Sequence, residues 1–212
     1  MAKSTGADSD KLIELATAIP IRQLAARVDL PTTLREAAAA YVNRRGRAAT
    51  VAEALADAEH PCLTTSLLVV EASLGLPDGW IPLANRLTTA GGLTPDDAGR
   101  LGAVRLAPPV AGERSAYRGA GPLGVAVRAA FSRESSIVSV QVALGGAASY
   151  PLQARQVEAT LHGRRASAEL ITVAAETAVE EARPAGVGSL TVEEDLALLR
   201  SVALEALQAA LL

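Results

Sequence analysis

The chain has 212 residues, enough for one large domain or two small ones, with a formal charge of −3 and a pI of about 5.5. Half of it is hydrophobic but only 2% is aromatic, so its core must be built from Ala, Leu and Val. That balance gives no general attraction for nucleic acid, and the single cysteine, Cys62, excludes an intramolecular disulfide or a metal centre made from several cysteines of one chain.

The first ten residues are small and polar, and a frayed end is expected there. They show neither a leader nor a membrane anchor, so a cytoplasmic location is expected. In DKLIELATAI, Leu12, Ile13, Leu15 and Ala16 predict a short helix. PTTLREAAAAYVNRRG predicts a second: Thr33 and Glu36 have capping-box spacing, the interior is alanine, and Arg44 and Arg45 precede Gly46. TSLLVVEASL, apolar and ended by the turn residues of GLPDGW, predicts a buried strand. LGAVRLAPP, LGVAVRAAF and SIVSVQVAL predict three more. The last two alternate with a period of two and are joined through FSRESS as a hairpin.

After Pro151 the pattern turns helical. PLQARQVEATLHG ends on Gly163, SAELITVAAETAVEEARP ends before Pro184, and the last segment opens with a second Thr-x-x-Glu pair, Thr191 and Glu194. PAGVGSL reads as a short flexible connection between the last two helices. The last helix has Leu196, Leu199, Ala203, Leu207 and Ala210 on one face, which suits packing on a partner as well as on the core. The expected class is α+β: N-terminal helices with a small antiparallel sheet, then an antiparallel hairpin or three-stranded sheet packed by helices. The expected division is 1–115 and 116–212.

Four segments carry a family resemblance. WIPLANRL, LTPDD with Asp97 as its acid, and VRLAPPVAGERSAYR occur in that order. They are followed by VSVQVALGGAASYPLQARQVEATLHGR, with Gly145, Gly146, Pro151, Arg155, Glu158, Leu161 and Gly163 in fixed spacing. Together they resemble the FAD-binding subunit of the molybdenum hydroxylases, the family of carbon monoxide and xanthine dehydrogenases. The likeness extends upstream. In RAATVAEALADAEHP, Thr50, Val51, Leu55, Ala56 and Ala58 fall in register with the family's flavin loop, whose Gly-Gly-Asn positions here hold Ala52, Glu53 and Ala54. The family also begins with a subdomain bearing a second glycine-rich phosphate loop, a segment with no counterpart in this sequence.

The physical consequence follows from the residues. Glycine permits positive φ and close backbone approach to a phosphate, whereas Ala and Glu add a Cβ and Glu adds a negative charge. The segment from Thr50 is rich in helix formers and is expected to have become helix. No FAD bound in the family manner is therefore expected, with FAD retained as the alternative.

Candidate contacts for a ligand are Glu53, Asp57, His60, Tyr117 and Tyr150. Asp57, Glu59, His60 and Cys62 lie close in sequence, but their spacing does not put them on one helix face, and no metal is expected. Arg44, Arg45 and Arg47 suit either an anion grip or a solvated helix end. Gly145 and Gly146 read as a tight turn before Pro151 in preference to a phosphate loop, and Trp80 as an anchoring hydrophobe at a strand start. His162 sits at a predicted helix end.

Three functions remain open. The first is a repurposed flavoprotein-subunit homologue that binds a small organic molecule, or converts it by cyclisation or isomerisation, in the cleft vacated between its two parts. The second is an FAD-binding electron-transfer subunit of a molybdenum hydroxylase complex, and hence an oxidoreductase subunit. The third is a non-catalytic assembly protein. The expected partners are a small-molecule ligand and either another protein or further copies of the chain, with no nucleic acid and no membrane.

Overall fold

The computed structural model describes residues 12–46, 48–90, 93, 95–148, 150–182 and 192–212. The chain opens with β1 (Ile13–Ala16), α1 (Ile21–Ala26), α2 (Thr32–Arg45), α3 (Val51–Ala56) and α4 (Cys62–Val69). The hairpin β2 (Ser73–Leu76) and β3 (Gly79–Pro82), then α5 (Leu83–Ala90), α6 (Pro95–Arg100) and β4 (Ala103–Leu106), complete its first part. The second part runs β5 (Glu113–Ala120), β6 (Leu123–Phe131), β7 (Ile137–Gly145), β8 (Leu152–Gln153), α7 (Arg155–Leu161), α8 (Ala168–Glu181) and α9 (Val192–Leu211). The class is α+β. No helix among the described residues is long and apolar enough to cross a membrane.

Both sheets are antiparallel and four-stranded among the described residues, in the orders β1-β4-β2-β3 and β5-β6-β7-β8. The second sheet is the middle layer of the molecule. Its side chains divide by size. Val125, Val127, Val142 and Leu144 point into a core shared with α7, α8 and α9, while Ala126, Ala143 and Tyr117 point into a core shared with α2 and α4. The small face lets α4 lie close.

That closeness rests on a row of glycines. Gly119 pairs with Gly124, and Gly124 with Gly145, across three neighbouring strands. The Tyr117 hydroxyl lies over the first two: a Cβ built on Gly119 would be 2.7 Å from it, and one built on Gly124 nearer still. A Cβ on Gly145 would overlap the Thr65 hydroxyl of α4. Gly146 follows with φ +75, and there a Cβ would strike the Pro122 carbonyl. The glycine pair is thus a turn packed against protein.

Several expectations need correction. DKLIELATAI holds β1, because Leu15 is needed in the core beside Val104 while its neighbours face outward, and the first helix begins only at Ile21. TSLLVVEASL is mostly α4, followed by β2. All residues of α4 are buried, the hydroxyl residues Thr64, Thr65 and Ser66 included, so it has no wet face and its sequence shows no helical period. Thr33 and Glu36 make no capping box, since α2 starts after Pro31 with no side-chain cap. Glu36 instead accepts from the Tyr117 backbone N–H at 2.7 Å and pairs with Arg118 at 3.0 Å, tying α2 to β5. The apolar face of α9 is spent within the chain: Leu199, Ala203, Leu207 and Ala210 are buried in the second core. Trp80 begins β3 but is 40% exposed, with the Arg105 guanidinium 3.9 Å from its ring centre. Pro184, PAGVGSL and Thr191 lie outside the described residues.

The predicted helix at α2, the strands at β4, β6 and β7, their hairpin, and the helices at α7, α8 and α9 all occur. Gly46 closes α2 at φ +91 and Gly163 follows α7 at φ +76, as their helix-end positions require.

Gly145→Ala is expected to lower stability by about 1–3 kcal/mol through overpacking against Thr65. Urea unfolding measures it, and combining the change with Thr65→Ala should recover part of the loss.

Candidate functional site

α3 starts at the segment that resembles a flavin loop in sequence, just after Thr50. Thr50 and Glu53 form a capping box: the Thr50 N–H donates to the Glu53 carboxylate at 2.7 Å, and the Glu53 N–H donates to the Thr50 hydroxyl at 3.3 Å. The two N–H groups between them are also engaged, Val51 with the Ile19 carbonyl at 3.1 Å and Ala52 with the Thr17 carbonyl at 3.0 Å. All four donors at this end of the helix therefore have partners inside the chain.

The other end of α3 leads to Asp57, where a compact polar group forms. One oxygen of Asp57 accepts from the backbone N–H of Glu59 at 3.1 Å and of His60 at 3.2 Å, fixing the turn. The other accepts from the Tyr41 hydroxyl and from Arg45 Nε, both at 3.0 Å. Arg45 also donates to Glu59 at 2.6 Å and to His60 Nδ1 at 3.2 Å. Burial by itself raises the Asp57 carboxyl, but the hydrogen bonds from Arg45 and Tyr41 and the charges of Arg45 and His60 outweigh it and hold the group below its ordinary value. Burial, and then the Asp57 charge, push the Tyr41 phenol well above its usual range.

Asp57, Glu59 and His60 each bring one ligand atom within 4.8 Å of the others. Arg45 donates to all three, so a guanidinium already fills the place a metal cation would take. Cys62 stands apart, buried at the start of α4. Burial raises its thiol, partly offset by a hydrogen bond shared with the Tyr117 phenol. Tyr117 is 3% exposed. Arg44 donates to the Gly121 carbonyl, tying α2 to the turn between β5 and β6. Arg47 lies outside the described residues, and His162 is an exposed residue just after α7.

Asp57 and His60 are thus direct neighbours, Glu53 is one helix turn before Asp57, and Tyr117 lies behind them through Cys62. Tyr150 is elsewhere. With Leu68, Leu87, Pro151 and Arg155 it lines a groove of about 220 Å³ between α4, α5 and the segment after β7. A second hollow of about 150 Å³, lined by Glu71, Pro82 and Gln141, shares Leu68, Ala84 and Gln153 with it. Sequence reading had placed Leu68 in a strand and so missed this wall. Arg155 was already marked by its motif.

The other motif residues have structural work. Glu158 accepts from the Val142 N–H at 2.9 Å and from the Gln153 amide at 3.0 Å, fastening α7 to β7 and β8. Burial raises its carboxyl despite those bonds. Leu161 is fully buried, and the Gly163 N–H reaches the Ile137 carbonyl at 2.8 Å.

Asp57→Asn is expected to cost about 1.5–3 kcal/mol, the range for a hydrogen bond to a charged group. Because the folded pKa of Asp57 lies below the unfolded value of about 3.9, its stabilisation is present above that value and is lost as pH falls through the folded pKa. Urea unfolding across that acid range should show this loss in the parent chain and not in the variant.

Residues 121–209 match the family described as the CO dehydrogenase flavoprotein C-terminal domain. No curated protein matches the chain. Among solved structures, carbon monoxide dehydrogenase from Hydrogenophaga pseudoflava, in a form lacking the Mo-pyranopterin moiety of its molybdenum cofactor, is similar with a TM-score of 0.80 at 20% identity, over 96% of this chain and 76% of that one. Reconstituted CO dehydrogenase from Oligotropha carboxidovorans gives 0.78 at 20% identity, over 93% and 74%. Quinoline 2-oxidoreductase from Pseudomonas putida 86 gives 0.74 at 18% identity, over 96% and 76%. Residues 121–209 are thus similar to the CO dehydrogenase flavoprotein C-terminal domain, and over nearly its whole length the chain shares the fold of these carbon monoxide dehydrogenase and quinoline 2-oxidoreductase structures.

Proposed function

We propose that this flavoprotein-subunit homologue does not take FAD in the family manner and instead binds a small organic molecule in the groove at Tyr150 and Arg155. On this reading residues 1–115 are the remnant of a flavin-binding part and 116–212 the C-terminal domain. The observation that carries it is the start of α3. A pyrophosphate does not fit there, because the N–H groups of Thr50, Val51, Ala52 and Glu53 all have partners within the chain and the nearest side chain is the Glu53 carboxylate. Binding a phosphate would require breaking the capping box and placing two like charges together.

The groove has the chemistry of a small binding site. Leu68, Leu87 and Pro151 give it apolar walls, and Tyr150, Gln153 and Arg155 give it polar ends. With the adjoining hollow it approaches the lower end of the roughly 300–1,000 Å³ range of ligand pockets. Among the described residues the Tyr150 groove itself is lined by neither a carboxylate nor an imidazole, and the one acidic residue of the adjoining hollow is Glu71, so binding is better supported than cyclisation or isomerisation.

The second reading, an FAD-holding electron-transfer subunit of a molybdenum hydroxylase complex, is favoured by the retained fold, with a TM-score of 0.81 to a Cu,Mo-CO dehydrogenase. It needs another chain to complete the flavin site.

Purified protein incubated with excess FAD and passed through gel filtration should emerge without the visible absorption band of bound oxidised flavin. A retained band would overturn the first reading and leave the second. Restoring glycine at Ala52 and Glu53 should remove the capping box and cost about 0.5–2 kcal/mol of stability, measurable by thermal unfolding.

A further inference from the structure

Two hollows flank Arg114 at one end of the second sheet, away from both the Asp57 group and the Tyr150 groove. One, of about 420 Å³, is bounded by Val28, Thr32, Arg35 and Ser115. The other, of about 630 Å³, is bounded by Phe131, Ser132, Arg165 and Leu211. Arg114 and Glu113 line both.

The charge of this trough is positive. Its acidic side chain, Glu113, is 4% exposed and held by the Arg128 guanidinium through bonds of 2.8 and 2.9 Å. Among the described residues neither Arg35 nor Arg165 has an ion-pair partner, and Arg35 Nε is enclosed with no acceptor. Arg114 lies 5.2 Å from the centre of the Phe131 ring and gives one donor to the Leu212 main-chain oxygen at 3.1 Å, leaving the rest of its fork. Ser115 and Ser132 accept from backbone N–H groups through their hydroxyl oxygens, which leaves each hydroxyl proton to be given to a ligand.

Three guanidinium groups without carboxylate side-chain partners, two hydroxyls, and the apolar surfaces of Val28, Phe131 and Leu211 fit one kind of guest. We propose that this trough binds a small organic anion, a carboxylate or phosphate on an apolar body. The head sits at Arg114 with Arg165 in the larger hollow, the tail lies along Phe131 and Leu211, and Arg35 adds its positive charge from the adjoining hollow. Guanidinium forks recognise both kinds of head through paired, charge-assisted hydrogen bonds.

Calorimetric titration of the full chain with octanoate, octyl phosphate, octanamide and inorganic phosphate tests this. At least one of the two octyl anions should bind about tenfold or more tightly than octanamide, the loss expected when one charge-assisted interaction is removed. Octyl phosphate should also bind more tightly than inorganic phosphate, which has no tail. Arg114→Gln and Arg165→Gln should each weaken the bound anion about tenfold and leave octanamide unchanged. Arg165 is exposed, so its variant is expected to keep the parent's unfolding midpoint even if the Arg114 variant does not fold. Preference for octanoate over octyl phosphate identifies a carboxylate guest, and the reverse a phosphate; either supports the site. Octanamide binding as tightly as the anions, unchanged anion affinity in Arg165→Gln, or no binding of either anion overturns it.

Discussion

The architecture depends on how near α4 can come to the second sheet. Gly119, Gly124 and Gly145 remove three side chains from adjacent positions on three strands, and Tyr117 and Thr65 fill the space. A Cβ at any of the three would force the phenol or the helix outward. Because α4 is buried along its whole length, a shift there would open the first core on every side. Cys62 and Tyr117 share a hydrogen bond within this contact, and the enclosure raises both groups, so each stays neutral and serves packing. The small face of the sheet therefore sets the distance between the two cores. The Val and Leu face opposite is free to build an ordinary apolar layer with α7 and α9.

The same economy governs the polar groups that join the parts. Glu36 stands in the first turns of a helix, where a carboxylate could satisfy local N–H groups, yet it reaches the Tyr117 N–H on the edge strand β5 and pairs with Arg118. An edge strand must hide its free donors, and Glu36 covers one while Ser115 on the same strand meets the Thr33 N–H. Arg44 binds the Gly121 carbonyl, while Arg45 is drawn into the Asp57 turn. Neighbouring arginines at one helix end thus serve opposite neighbours, and neither is left as a merely solvated charge.

What the sequence discloses follows from how local each signal is. β6 and β7 alternate, a hairpin joins them, and the motif from Gly145 to Gly163 is contiguous, so these elements could be read directly. The capping residues Thr50 and Glu53 are three apart, and the helix expected between them is present. α4 gave no period because water touches none of its faces. β1 is four residues long, too short to separate alternation from a helical turn. β5, with the polar sequence ERSAYRGA, was passed over because its edge is covered by partners about eighty residues away. The site divides in the same way. Asp57 and His60 meet through a local turn, whereas Tyr41 and Arg45 join them only through tertiary packing, and the Tyr150 groove needs α4 and α5 folded against the segment after β7.

A glycine-rich turn before a helix holds its N–H groups open at a cost in backbone entropy and unsatisfied donors, a cost justified when an anion arrives. The start of α3 is instead complete in itself: Thr50 and Glu53 satisfy each other, and Ile19 and Thr17 take the remaining donors. Such a turn gains stability from its own donors, and any anion would have to compete with Glu53 for them. At Gly119, Gly124, Gly145 and Gly146, by contrast, the missing Cβ is required by the chain's own packing. Two kinds of glycine that look alike in sequence therefore separate by what fills the space beside them. A glycine that serves packing is required by the fold itself, whereas one that serves a ligand is required only by that ligand.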